Sequence, residues 1–283
     1  MAIEKVGVVG CGIMGSGIVQ VAALSGFEVT FVARSPEKVE KGWELIRGSL
    51  SKAVEKSKVS PQEAHGAQAR IHGTMHTGDL EACDIIIETI TEDLDRKKQL
   101  LAELDGIAPA DVIFTTNTSS FSITEIAVAT QRPQRVAGLH FFNPAEAMTL
   151  VEIVRTAWSS EETIETVRAF ALSLGKEPVI VKDTPGFIVN AFLTPYLNQV
   201  IQAYEDGLAS REDIDTAVRL GFGIRLGPLA MLDLIGLDVQ LHIAETLFAR
   251  CGDQRFAPPP LLRRMVEAGH LGRKTGKGFY EYK

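Results

Sequence analysis

His140 and Glu152 are the residues of this chain whose type and setting point most directly to proton chemistry. Each interrupts an apolar, strand-like run: Val136-Ala137-Gly138-Leu139-His140-Phe141-Phe142 for the first, Leu150-Val151-Glu152-Ile153-Val154 for the second. A carboxylate in such a strand is costly to bury unless it is paired, and a histidine is the economical partner. An imidazole held by a carboxylate can take up and return a proton near neutral pH. A histidine among aromatics is, by itself, a packing residue. Two such anomalies twelve positions apart single out a pair.

Asn117-Thr118-Ser119-Ser120, a cluster of short hydrogen-bonding side chains, closes the apolar run of residues 111–116. Ser122 is placed to cap a helix over 122–128, but that leaves Asn117 through Ser120 unexplained. Glu92 and Lys97 follow another strand-like run, Cys83-Asp84-Ile85-Ile86-Ile87-Glu88, and open a helix through Leu104. Ligands of open α/β sheets gather at the carboxyl ends of strands, which places Glu92, Lys97, Asn117 and Ser119 near a cofactor. A plain helix-start role is the alternative for Glu92.

That cofactor is suggested by Val6-Gly7-Val8-Val9-Gly10-Cys11-Gly12-Ile13-Met14-Gly15, a β-branched run entering Gly-x-Gly-x-x-Gly ahead of a helical stretch from Ile18 to Ser25. Gly10 makes the tight turn, Gly12 lets backbone approach a pyrophosphate, and Gly15 lets helix and strand pack closely. With Ile13 and Met14 these residues form the expected dinucleotide site, its anion at the positive end of the helix. The next strand, Glu28-Val29-Thr30-Phe31-Val32, ends in Ala33-Arg34-Ser35 where an NAD site carries an acid. Arg34 is therefore either a partner for a 2′-phosphate, favouring NADP over NAD, or a solvated strand-end residue.

Several elements must position these groups. Residues 36–58 carry Val39, Trp43, Ile46, Leu50 and Val54 at helical spacing, and Ser60-Pro61-Gln62-Glu63 reads as the start of a second helix. Together they predict a helical hairpin inserted in a doubly wound, mostly parallel α/β sheet, with Trp43 as packing. His65, His72 and His76 are expected on polar, Gly-rich connections at the surface, with no metal site. After Thr184 the pattern turns helical. Ser210-Arg211-Glu212-Asp213 reads as a capping box, Pro228 as a first helical residue, and Leu237, Leu241, Ala244, Leu247 and Phe248 as an apolar stripe.

The 283 residues are 45% hydrophobic with a formal charge of −7, which excludes general attraction to nucleic acid or an anionic membrane. Three scattered cysteines form no disulfide framework, in keeping with a reducing compartment. The apolar stretch from Val6 to Leu24 resembles a signal peptide, but its five glycines and Gln20 fit the turn motif better. A cytoplasmic protein without a targeting segment is expected.

Taken in order, Gly10-x-Gly12-x-x-Gly15, Asn117-Thr118-Ser119-Ser120, the Gly138–Pro144 segment, the Asp183–Asn190 segment and the Leu271–Tyr280 segment resemble the 3-hydroxyacyl-CoA dehydrogenases, especially the short bacterial 3-hydroxybutyryl-CoA dehydrogenases. The resemblance runs through essentially the whole chain. It implies a Rossmann domain over 1–183, an all-α substrate and dimerisation domain over 184–283, a homodimer and an acyl-CoA substrate with S configuration at C3. It implies further that His140 and Glu152 are the acid/base dyad. Ser119, Asn143 and Asn190 correspond to residues that contact substrate or nicotinamide, and Glu92 and Lys97 to the family's cofactor-side pair.

Three segments depart from the family pattern: Ala33-Arg34, Ala145-Glu146-Ala147-Met148-Thr149, and Ile224-Arg225-Leu226. Arg225 is either a surface residue or a contact for a carboxylate or carbonyl on an unusual acyl chain. Other readings are a dehydrogenase of a free hydroxy acid or sugar acid, one acting on an acyl group carried by a protein, and a non-catalytic NAD(P)-binding sensor.

Overall fold

The computed structural model describes residues 3–282, in two compact units, one ending at Thr184 and the other beginning at Pro185. In the first unit, β1 (Lys5–Val9), α1 (Ile13–Leu24) and β2 (Glu28–Val32) form the opening βαβ turn. Then come α2 (Pro36–Glu55), α3 (Pro61–Ala69), β3 (Ile71–Thr74), β4 (Ile85–Glu88), α4 (Leu94–Ile107), β5 (Ile113–Thr116) and α5 (Ile123–Ala127). The unit closes with β6 (Val136–Phe141), β7 (Leu150–Arg155), α6 (Glu161–Ser173) and β8 (Glu177–Lys182).

These strands make one sheet in the order β3-β2-β1-β4-β5-β6-β7-β8. The strand order reverses between β1 and β4, the switch point at which such sheets bind ligands. All neighbours run parallel except β6 and β7. Strands β1, β2, β4, β5 and β6 therefore deliver their carboxyl ends, and the residues just beyond them, to one side of the sheet. The Val/Ile-rich strands are buried on both faces, with Val6, Val8, Phe31, Ile85, Ile87 and Leu139 on one and Ile86, Phe114 and Val136 on the other.

The inserted hairpin is α2 and α3. Ser60 and Glu63 complete a reciprocal capping box at the start of α3. The expectation for the histidines needs correction. His65 lies within α3 and His72 within β3, although both are exposed, as is His76. β3 is a four-residue edge strand with Gly73 inside it, too short and too polar to read from alternation. A Cβ on Gly73 would lie 2.5 Å from Phe31 Cζ, so that ring fills the space a side chain would need.

The second unit contains α7 (Val189–Glu205), α8 (Arg211–Gly221), α9 (Pro228–Ile235), α10 (Leu237–Cys251) and α11 (Pro260–Glu267) around Leu197, Ile201, Leu229, Leu232 and Leu262. Ser210 caps α8 by accepting from the Asp213 N–H, but the cap is half a capping box. The Asp213 carboxylate takes the Ser210 hydroxyl at 2.7 Å instead of reaching its N–H, being one methylene shorter than glutamate. The C-terminal segment is tied down by Asp233, which accepts from the Phe279 and Tyr280 N–H groups (both 2.8 Å) and from the Tyr282 hydroxyl at 2.9 Å. Among the described residues no helix is long and apolar enough to cross a membrane, and no group of three or more His, Cys, Asp and Glu is placed to hold a metal.

Candidate active site

His140 and Glu152 are direct partners across the antiparallel β6–β7 ladder. Opposed residues of such a pair project their side chains from the same face of the sheet. His140 Nδ1 lies 2.7 Å from Glu152 Oε2, and the two residues are 6% and 0% exposed. A carboxylate so deeply buried requires a polar partner, and the imidazole supplies it. The ring also lies 4.6 Å, centroid to centroid, from that of Phe142.

Beside this pair, Asn117 accepts the Phe141 N–H at 2.8 Å through Oδ1, tying the end of β5 to β6. Asn143 follows β6 and is exposed. Ser119 directs both its N–H (3.0 Å) and its hydroxyl (3.4 Å) at Glu92 Oε1, which also accepts from the Thr118 hydroxyl at 2.9 Å and the Ser120 hydroxyl at 3.2 Å. Burial alone would push the Glu92 carboxyl up. The Lys97 ammonium and the bonds from Ser119, Lys97 and Thr118 outweigh it and hold the carboxyl below its ordinary range.

Lys97 itself is 1% exposed. Its ammonium meets Glu88 Oε1 at 2.8 Å, Glu92 Oε2 at 3.0 Å and the Ile90 carbonyl at 3.4 Å. An ammonium has three hydrogens, and three acceptors engage them. Lys97 therefore acts on Glu92 and not on solvent. Glu88, which the sequence reading passed over, also accepts from the Thr116 hydroxyl and the Ile90 N–H, both at 2.6 Å. Its signal was the one that exposed Glu152: a carboxylate in an otherwise apolar strand. Asp183, likewise missed, accepts from the Ser122 hydroxyl and the Thr124 N–H at the start of α5.

The glycine-rich turn borders a cleft of about 820 Å³, whose lining includes Gly10, Gly12, Ile13, Ala33, Arg34 and Ile90. Gly10 has φ +96°, which favours glycine. A Cβ on Gly15 would lie 1.9 Å from the Gly10 carbonyl oxygen, so the first turn of α1 sits directly on the loop. Gly12 differs. Its φ is −79°, and a Cβ there meets no atom within 4 Å. No packing within the chain requires glycine at this position, but a side chain would project over the amino end of α1, where Gly12 offers no side-chain cap. Open space above unpaired N–H groups fits a dinucleotide pyrophosphate.

Asn190 belongs to the first turn of α7 in the second unit and is half-buried. Arg225 is exposed in the loop between α8 and α9.

Known proteins match the chain in family and in fold. The family model for the NAD binding domain of 3-hydroxyacyl-CoA dehydrogenase matches residues 5–184, and that for the C-terminal domain of the same family matches 186–282. The 3-hydroxybutyryl-CoA dehydrogenase of Clostridioides difficile is 44% identical over 278 residues, covering 98% of this chain and 99% of that protein. Two crystal structures, those of Mycobacterium tuberculosis FadB2 and of the Ralstonia eutropha (S)-3-hydroxybutyryl-CoA dehydrogenase, are each 44% identical with all of both chains covered, at TM-scores of 0.96 and 0.94. A doubly wound, NAD-binding sheet followed by a helical unit, matched along its whole length in sequence and in structure, places this chain in the 3-hydroxyacyl-CoA dehydrogenase family of oxidoreductases.

Proposed function

We propose that the protein interconverts a short-chain (S)-3-hydroxyacyl-CoA and its 3-oxoacyl-CoA, 3-hydroxybutyryl-CoA being the representative substrate, and that NADP(H) is the preferred form of its coenzyme. The 2.7 Å contact between His140 and Glu152 carries the first part. When bound, the nicotinamide supplies the hydride acceptor or donor at C4. With Nδ1 held by Glu152, His140 exchanges its proton through Nε2. In oxidation Nε2 takes the C3 hydroxyl proton as the C3 hydride leaves and the carbonyl forms; in reduction it returns that proton to the nascent alkoxide. Glu152 fixes the tautomer and balances the charge of the imidazolium. Ser119, Asn143 and Asn190 position the substrate, while Glu92 faces the cofactor with Lys97 and Glu88 behind it.

Acetoacetyl-CoA reduction followed by nicotinamide absorbance tests this reading. General acid/base catalysis is typically worth about 10²–10⁴-fold. His140→Gln is expected to lose about that much turnover while coenzyme affinity, measured by fluorescence titration, is kept. Near-normal turnover in the variant would remove His140 from the reaction.

The NADP(H) preference rests on Ala33 and Arg34 at the end of β2. A methyl group stands where a carboxylate would hold the ribose hydroxyls and repel a 2′-phosphate. A homodimer formed through the helical unit completes the reading. Phe192, Leu208, Leu220 and Phe222 support it, each a large apolar side chain between 68% and 76% exposed.

A further inference from the structure

Lys38 and Lys41 lie in the first turns of α2 and line the same cleft as Arg34 and the glycine-rich turn. All three cations are exposed, and among the described residues none has an ion-pair partner. Of the nearby acids, Glu37 is engaged with the Ser35 hydroxyl and Glu40 with Arg47 at 3.3 Å, while Glu44, three positions beyond Lys41, forms no ion pair with it. Lys38 opposes the positive end of its own helix, and Lys41, three positions on, is a like charge on the same face. A chain with a net charge of −7 has thus gathered three unpaired cations at one end of a nucleotide cleft.

We infer that Lys38 and Lys41 join Arg34 as the seat of a phosphomonoester dianion, the 2′-phosphate on the adenosine ribose, and that these two lysines share with Arg34 in setting the coenzyme preference. Arg34 offers paired N–H donors to the phosphate oxygens, and the lysines add point charges from the side of α2. The inference rests on the reading of the cleft as a dinucleotide site, and the two can fail separately.

Calorimetric titration with adenosine 5′-monophosphate and with its 2′-phosphorylated counterpart tests it without turnover. The wild-type protein is expected to bind the doubly phosphorylated nucleotide at least about tenfold more tightly, a difference of about 1.4 kcal/mol. K38A/K41A is expected to lose most of that advantage while its affinity for the monophosphate stays within about twofold, and K38R/K41R to retain it. Equal binding of the two nucleotides by the wild type, or an undiminished preference in K38A/K41A, would overturn the seat alone. Failure of both nucleotides to bind would overturn the dinucleotide reading and the seat with it. In kinetic assays the ratio of kcat/KM for NADPH to that for NADH falls in K38A/K41A by the same factor as the nucleotide preference. A thermal midpoint equal to wild type shows that the variant is folded.

Discussion

Glu88, Lys97 and Glu92 form a chain of charge that runs from the end of β4 into the candidate active site, with only Glu92 partly accessible to solvent. Removing the middle member leaves Glu88 buried at 1% exposure with its countercharge gone. Breaking a buried ion pair in this way typically costs about 3–5 kcal/mol. Lys97→Met is therefore expected to lower the unfolding free energy by about that amount in urea denaturation, far more than an exposed lysine would. A loss below about 1 kcal/mol would mean that the triad contributes little to the fold. The two buried carboxylates also differ in how far they could be read in advance. Glu152 stood in the middle of an apolar run and declared itself, whereas Glu88 stood at the end of one, where a charge passes for the start of a loop. That Lys97 is enclosed could not be read at all, because a helix-opening lysine ordinarily points into water and only the packing of α4 beside β4 covers this one.

Element by element, the glycine-bounded strands and the long amphipathic α2 were legible because their periods are strong and their ends carry turn chemistry. β3 was not, because four residues on a sheet edge show almost no alternation. The register of β6 against β7 was equally hidden. A slip of one position would put Glu152 on the face opposite His140, and no local pattern forbids it. One device next to this ladder is Lys176, just before β8, whose ammonium donates to the Ala145 carbonyl (2.6 Å) and the Met148 carbonyl (2.8 Å). Burial pulls the Lys176 ammonium below its usual range, while the nearby Glu146 charge pulls it back up. Hydrogen bonds to a charged group contribute about 1.5–3 kcal/mol each. Lys176→Met is expected to loosen residues 143–149, seen as faster amide exchange confined to that loop, and to reduce turnover through poorer placement of Asn143. Unchanged exchange there would show that the loop is held by its other contacts.

For the molecule as a whole, two units with separate cores meet two separate family models, one ending at residue 184 and the other beginning at 186. The change from alternating strands and helices to helices alone made that division visible in the sequence. Which apolar side chains of the helical unit stay exposed was not visible, since an amphipathic stripe looks the same whether it meets its own core or a second copy. Leu220 and Phe222 close α8 at 68% and 70% exposure. Static light scattering is expected to report a mass of two chains for the wild type, and Leu220→Asp with Phe222→Glu is expected to yield a single chain. A monomeric wild type at micromolar concentration would remove the proposed interface.

The histidine and glutamate occupy facing positions on one rung of a β-ladder, their spacing set by backbone hydrogen bonds rather than by loop conformation. The connection that joins the two strands, including the departure from the family at Ala145-Glu146-Ala147-Met148-Thr149, is thereby free to diverge. Sequence change in that connection can therefore proceed without separating the facing pair proposed to move the proton.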